Sequence, residues 1–275
     1  MGTLYLVATP IGNLEDVTLR ALRVLREVSL VAAEDTRTTR KLLSHHGIRQ
    51  RLLSYNEHNM RARTPRLLAA LEGRDIAFAS EAGTPGVSDP GFELSVAAVE
   101  AGHDVVAVPG ASSLLTALVA SGLPMRQFTF LGFLPRRAGE RKRLLKPLAA
   151  EARTLVAFES PRRLRQTLED LQDVLGERRL AIGRELTKLH EEMFRGTLSE
   201  ALAHFVEPRS EITIVVEGAP AGAGHAATPD ALAEARRKLR RLRISGVKAR
   251  EAVSTVAETT GLPHRDVYRM WLEQR

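Results

Sequence analysis

Five short apolar runs at residues 3–8, 30–33, 52–54, 76–80 and 105–108 constrain this chain more than any other feature. Segments of helical periodicity at 19–28, 36–46, 64–71, 93–101 and 113–121 separate or follow them. Strand–helix alternation of this kind requires right-handed crossovers, and it yields a largely parallel sheet covered by helices on both faces. Residues 1–125 are therefore expected to form one α/β domain, ended by Gly122-Leu123-Pro124.

A second α/β unit is expected over 126–218, with strands at 128–133, 154–158, 180–183 and 211–217 and helices at 162–175 and 199–205. A further strand and turn are expected over 189–197, while 136–146 reads as a basic segment. The alternation is less regular here, so a larger antiparallel share is expected. Residues 219–229 are rich in Ala, Gly and Pro and read as a linker. From 230 to 275 the pattern is helical, at 231–242, 248–259 and 265–273.

The bulk composition removes several classes of chemistry. There is no cysteine, which excludes disulfides, thiolate metal sites and cysteine nucleophiles. The eight histidines are mostly scattered, and no metal centre is expected. No apolar run reaches the roughly 20 residues of a membrane span, and no basic leader opens the sequence, so a cytoplasmic protein without a membrane partner is expected. The net charge is +7, and residues 229–275 carry eleven Lys and Arg against six Asp and Glu. Arg236, Arg237, Lys238, Arg240, Arg241 and Arg243 crowd the first tail helix. A polyanion such as RNA and a packing or dimerisation appendage both fit that segment.

The loops after the apolar runs hold the candidate chemistry. Residues 80–91, Ser-Glu-Ala-Gly-Thr-Pro-Gly-Val-Ser-Asp-Pro-Gly, follow a buried strand with three glycines and two prolines. They leave main-chain groups open at the strand end, where open α/β sheets bind ligands. Ala8-Thr9-Pro10-Ile11-Gly12-Asn13-Leu14 occupies the place of a dinucleotide fingerprint without its G-x-G-x-x-G, and no Walker lysine loop is present. Ala33-Glu34-Asp35-Thr36-Arg37 offers either a helix cap at Asp35 or an acid–arginine pair facing substrate. Tyr55-Asn56-Glu57-His58-Asn59 can close a loop or bind a polar group. Pro109-Gly110-Ala111-Ser112-Ser113, Phe158-Glu159-Ser160-Pro161 and Gly183-Arg184-Glu185-Leu186-Thr187-Lys188 each follow a strand at once.

In this order, these motifs resemble the tetrapyrrole methylase superfamily, the class III S-adenosylmethionine-dependent methyltransferases, over residues 4–218. More narrowly they resemble the ribosomal RNA small subunit methyltransferase I family. The resemblance implies two α/β domains with a cofactor cleft between them, to which the helical pattern of 230–275 adds a small C-terminal module. It implies a homodimer and S-adenosylmethionine-dependent 2′-O-methylation of a cytidine in the 16S rRNA of the small ribosomal subunit. By position it assigns cofactor contacts to Ile11, Glu81, Thr84, Val87, Ser112, Ser113, Phe158 and Glu217. Catalytic roles would fall to Asp35, Arg37, Glu159 and Lys188, and the charge of the tail, taken with such a substrate, gives RNA contacts to Arg236, Arg237, Lys238, Arg240, Arg241 and Arg243. Glu81, Asn56, Arg162 and Ser210 stand where the family pattern has aspartate, histidine, histidine and glycine. A tetrapyrrole-precursor or diphthine-type methyltransferase is the alternative in the same superfamily. A non-catalytic ribosome-binding factor is the alternative from another class.

Overall fold

A computed structural model of the chain describes residues 1–206, 210–220, 229–260, 262 and 264–273. The N-terminal unit contains β1 (Thr3–Val7), α1 (Leu19–Glu27), β2 (Leu30–Ala33), α2 (Thr36–His45), β3 (Leu52–Ser54) and α3 (Met60–Leu71). It continues through β4 (Ile76–Ala79), α4 (Phe92–Glu100), β5 (Asp104–Val108) and α5 (Ser113–Ala120). Its five strands are ordered β3-β2-β4-β1-β5 and all pair in parallel. The central β4 shows why alternation dictates a covered sheet. Ala77 and Ala79 pack with α1 and α2 through Val24, Leu25, Leu42 and Leu43. Ile76 and Phe78 face α3 and α4 through Leu67, Leu71, Leu94 and Ala98 on the other side.

The second unit comprises β6 (Phe128–Phe133), α6 (Ala138–Leu145), β7 (Thr154–Glu159), α7 (Pro161–Leu175), β8 (Arg179–Arg184), β9 (Glu192–Thr197), α8 (Leu198–His204) and β10 (Ile212–Val216). The strand order is β6-β7-β10-β8-β9. Only β6 and β7 pair in parallel; the other three pairings are antiparallel. One face, with Leu155, Leu180, Ile182, Ile212 and Ile214, packs on α7 and α8. The other face, with Val156, Ala181 and Val215, is covered by α5 through Ala117 and Leu118 and by Ile11. The last helix of the first unit is thus the floor of the second sheet, which fixes the two sheets relative to each other. Three hydrogen bonds add to that tie: Asn13 N–H donates to Thr187 Oγ1 at 3.1 Å, and Arg195 donates to the Ala120 carbonyl through both Nε and Nη2.

Helix α6 occupies the stretch read from sequence only as basic. Its inward face includes Arg141, which is 1% exposed, so an apolar-periodicity reading misses it. The tail folds as α9 (Pro229–Ile244), α10 (Ala249–Thr260) and α11 (His264–Glu273) around Leu239, Val256, Val267 and Met270. Of the expected linker 219–229, residues 221–228 lie outside the described residues.

Candidate active site

Parallel strands deliver all their C-terminal ends to one edge, so the loops after β1, β2, β4 and β5 gather there. Two of them are joined directly: Thr9 and Gly83 exchange backbone hydrogen bonds of 2.9 and 3.0 Å. Thr84 Oγ1 donates to the Ala111 carbonyl, which ties the loop at 80–91 to the one after β5. The second sheet presents the ends of β7 and β8 and, because β10 runs antiparallel to both, the beginning of β10. Ile212 pairs with Glu159 on one side and Arg184 on the other.

A cleft lies between these two edges. It is lined by Ile11, Glu81, Thr84, Val87, Ser112, Ser113, Phe158, Glu159 and Lys188, nine of the residues singled out from sequence. Glu217 is not among them. It follows β10 at the far edge of the second sheet, where its N–H donates to the Arg179 carbonyl and its carboxylate pairs with Arg179 Nε at 3.1 Å. The antiparallel direction of β10 puts Glu211, Ile212 and Thr213 at the cleft in its place.

Asp35 and Arg37 also stand outside the lining. Asp35 is the N-cap of α2, accepting from the Arg37 N–H at 2.7 Å, and Arg37 Nη2 closes a 2.8 Å ion pair on the same carboxylate. The arginine's side-chain and backbone donors hold the Asp35 carboxyl down at about 2, which makes it a weak base. Its neighbour Glu34 enters the cleft instead, and its Oε2 accepts the Glu81 N–H at 2.9 Å. Burial, with the nearby carboxylates Glu81, Glu57 and Asp35, raises Glu34 above the usual range against that bond.

Glu159 lines the cleft but is fully committed. Oε1 accepts from Ser160 N–H and pairs with Arg163, while Oε2 accepts from Thr167 Oγ1. With 1% exposure it anchors the start of α7 rather than meeting substrate. The aliphatic stem of Lys188 packs so closely on Gly12 that a Cβ there would stand 2.5 Å from Lys188 Cγ. That close approach accounts for a glycine in the first loop.

Sequence reading missed other lining residues: Glu34, Asp89, Phe133, Glu185 and Glu211. Asp89 lies inside the loop already singled out, and burial with Glu34, Glu211 and Glu81 around it pushes its carboxyl up to about 7. Ser210, where the family pattern has glycine, sits at φ +67°, the left-handed region that favours glycine. Its Oγ donates to Glu185 Oε1 at 2.5 Å, an interaction glycine cannot make. Asn56 closes its own loop, accepting from His58 N–H through Oδ1.

The tail arginines divide into two sets. Arg236 pairs with Glu273, Lys238 with Glu234, and Arg243 stacks over Trp271 at 5.0 Å while donating to its carbonyl. Arg237, Arg240 and Arg241 project from the exposed face of α9. Among the described residues no group of three or more His, Asp or Glu is placed to hold a metal ion, and no helix is long and apolar enough to cross a membrane.

Residues 3–202 match the family of tetrapyrrole (corrin/porphyrin) methylases. The chain is 48% identical to a ribosomal RNA small subunit methyltransferase I of Synechocystis sp., over 99% of this chain and 98% of the relative. It is 45% identical to the protein of that name from Halalkalibacterium halodurans, over 99% and 96%. The crystal structure of a uroporphyrin-III C-methyltransferase from Thermus thermophilus, complexed with S-adenyl homocysteine, superposes with a TM-score of 0.56 at 23% identity. It covers 78% of this chain and 97% of that one, and the likeness extends to the fold. By its family match, its near full-length relatives and its strand-end cleft, the chain belongs to the tetrapyrrole methylase family and, within it, to the ribosomal RNA small subunit methyltransferase I family.

Proposed function

We propose that the chain methylates the ribose 2′-oxygen of a cytidine in the 16S rRNA of the small ribosomal subunit, in the cytoplasm, as a homodimer. Membership of the family makes it a methyltransferase, with S-adenosylmethionine as methyl donor. The observation that carries the reading is the cleft itself, where loops from both sheets converge on one ligand-sized space.

The residues present suit that donor. Ile11, Val87, Phe133, Phe158 and Leu186 offer apolar surface for a purine and a thioether chain. Glu34, Glu81, Asp89, Glu185 and Glu211 surround it with negative charge, which favours a ligand of net positive charge. When bound, S-adenosylmethionine supplies a methyl group already activated by the sulfonium. The chain's own work is then to hold the ribose hydroxyl in line, exclude water and accept a proton. Orientation of this kind is worth about 7–11 kcal/mol in favourable cases.

The exposed stripe of Arg237, Arg240 and Arg241 supports an RNA-facing role for the tail. A second basic patch, Arg250, His264 and Arg265, borders the half-exposed ring of Tyr268, a surface suited to an unpaired base. Homodimerisation is supported by apolar stripes. Phe92, Val96 and Val99 stand exposed at i, i+4 and i+7 on α4, and Leu115 with Val119 on α5.

Labelled S-adenosylmethionine, offered with small subunits, free 16S rRNA and total tRNA, tests the reading. Label on a single cytidine ribose of 16S rRNA is expected. Label on a base atom, on tRNA or only on a tetrapyrrole refutes it. Failure to bind S-adenosylmethionine by calorimetry refutes any catalytic role.

A further inference from the structure

We propose that Asp89 is the catalytic base, taking the proton of the ribose 2′-hydroxyl as that oxygen accepts the methyl group. The inference rests on the reading of the chain as a ribose methyltransferase. Glu159 spends both oxygens on Ser160, Arg163 and Thr167, Glu185 accepts from Ser210, and Glu34 accepts from the Glu81 N–H. Asp35 lies outside the lining, clamped by Arg37. Asp89, Glu81 and Glu211 are the lining acids with no side-chain hydrogen bond or ion pair among the described residues, and of these Glu81 and Glu211 are exposed. Asp89 alone of the three is partly buried.

Its backbone is flanked by two uncommon conformations. Ser88 before it has φ +64°, and Gly91 after it has φ +131°, where an added Cβ would meet the Phe78 ring at 2.7 Å. Non-glycine residues hold a left-handed conformation at a cost, and such positions cluster where a side chain must be aimed. Pro90 between them is buried. Glu81 in the same loop, Glu34 beside it and Glu211 from the second sheet surround the carboxylate, with Glu159, Glu185 and Lys188 also lining the cleft. Burial first, then repulsion from Glu34, Glu211 and Glu81, raises its carboxyl to about 7. An acid so tuned is ionised in useful amount at neutral pH and is a far better proton acceptor than an ordinary aspartate.

The step balances. The 2′-oxygen forms its bond to the methyl carbon, and the electron pair of the carbon–sulfur bond stays on sulfur. The hydroxyl proton passes to a carboxylate oxygen of Asp89 and then to solvent, leaving S-adenosylhomocysteine and methylated RNA. Net charge is conserved once that proton is counted.

The test is Asp89→Asn in the full chain, compared with wild type for cofactor affinity, single-turnover rate on the RNA and thermal stability. We expect the rate to fall by about 10²–10⁴-fold and the rise in rate with pH near 7 to disappear, with the calorimetric Kd for S-adenosylmethionine rising by less than about tenfold, the scale of a single lost polar interaction. A second readout does not need turnover. An aspartate raised in the folded state contributes stability below its unfolded value, near 3.9, and loses it as pH rises through about 7. The Asn variant is therefore expected to melt higher than wild type above pH 7, with the gap closing in acid. Carbon-13 NMR titration of Asp89 in wild type gives the same information if the variant folds poorly. A rate loss matched by an equal loss of cofactor affinity overturns the proposal, assigning Asp89 to cofactor holding. An unchanged rate, or a pH profile that keeps its limb, also overturns it. Absence of RNA methylation by wild type would instead refute the underlying function.

Discussion

Replacing Asp170 by alanine is expected to destabilise the second domain by about 3–5 kcal/mol, the cost of stranding a buried charge. Asp170 lies on α7 and Arg141 on α6, and the two side chains are 6% and 1% exposed. Oδ2 accepts from Arg141 Nε at 2.7 Å and again from Nη2, while Nη1 donates to the carbonyls of Pro135 and Arg136. Alanine leaves Nε and Nη2 buried without an acceptor, and each such donor costs about 1–3 kcal/mol. Lys142, 41% exposed and 3.4 Å from Oδ1, adds little. The double variant Arg141→Met with Asp170→Leu removes the stranded charge. It is expected to recover all but about 1 kcal/mol, the residue being the donor lost to the two carbonyls. Urea titrations followed by far-UV circular dichroism give the free energies, since the single tryptophan, Trp271, sits in the C-terminal module. The same guanidinium holds the turn just after Phe133, a lining residue, so the single variant is also expected to weaken cofactor binding. A loss below about 1 kcal/mol, or a double variant no more stable than the single one, would refute the reasoning.

Asp35→Ala removes a helix cap and is expected to cost about 1 kcal/mol in a denaturation titration while folded protein keeps its methyl-transfer rate. Because this carboxyl is lowered to about 2, its contribution is present above its unfolded value and fades as pH falls through 2, so the gap between variant and wild type should close in acid. Arg237→Glu with Arg241→Glu is expected to reduce the salt slope of RNA binding by about two, measured by filter binding, without altering cofactor affinity. Phe92→Asp on α4 is expected to shift sedimentation from dimer to monomer; an unchanged sedimentation coefficient removes that face from the interface.

Local rules made most of this fold legible, and the exceptions share one cause. The alternation of β1 through α5 is visible because each element buries one apolar face, as Ile76 and Phe78 oppose Ala77 and Ala79. Helix α6 escaped because its buried face carries Arg141, whose charge is satisfied by Asp170, twenty-nine residues away. Glu34 and Asp35 are adjacent in sequence, yet one enters the cleft and the other caps a helix. That choice depends on where the Glu81 N–H arrives from β4, a contact no local pattern encodes. Glu217 stands at the end of its strand away from the cleft for a similar reason. The direction of β10 relative to β7 and β8 decides which end meets the cleft. Asp89 is visible as a residue, but its raised proton affinity comes first from burial in the folded cleft and then from Glu34, Glu211 and its loop neighbour Glu81, an environment that exists only once the chain is folded.

The charge distribution explains why a basic tail accompanies an acidic cleft. Among the described lining residues Lys188 is the sole cation against Glu34, Glu81, Asp89, Glu159, Glu185 and Glu211. Such a field attracts the sulfonium and ammonium of the cofactor and repels phosphates. An RNA backbone gains nothing by entering, so only a ribose and its base can approach the methyl group at acceptable cost. Under the proposed function, the attraction that brings RNA to the enzyme comes from elsewhere on the surface, and Arg237, Arg240 and Arg241 on α9, with Arg250 and Arg265 beside Tyr268, are the proposed source. On this proposed division the tail would set RNA affinity and its salt dependence, while the cleft would set which atom is methylated.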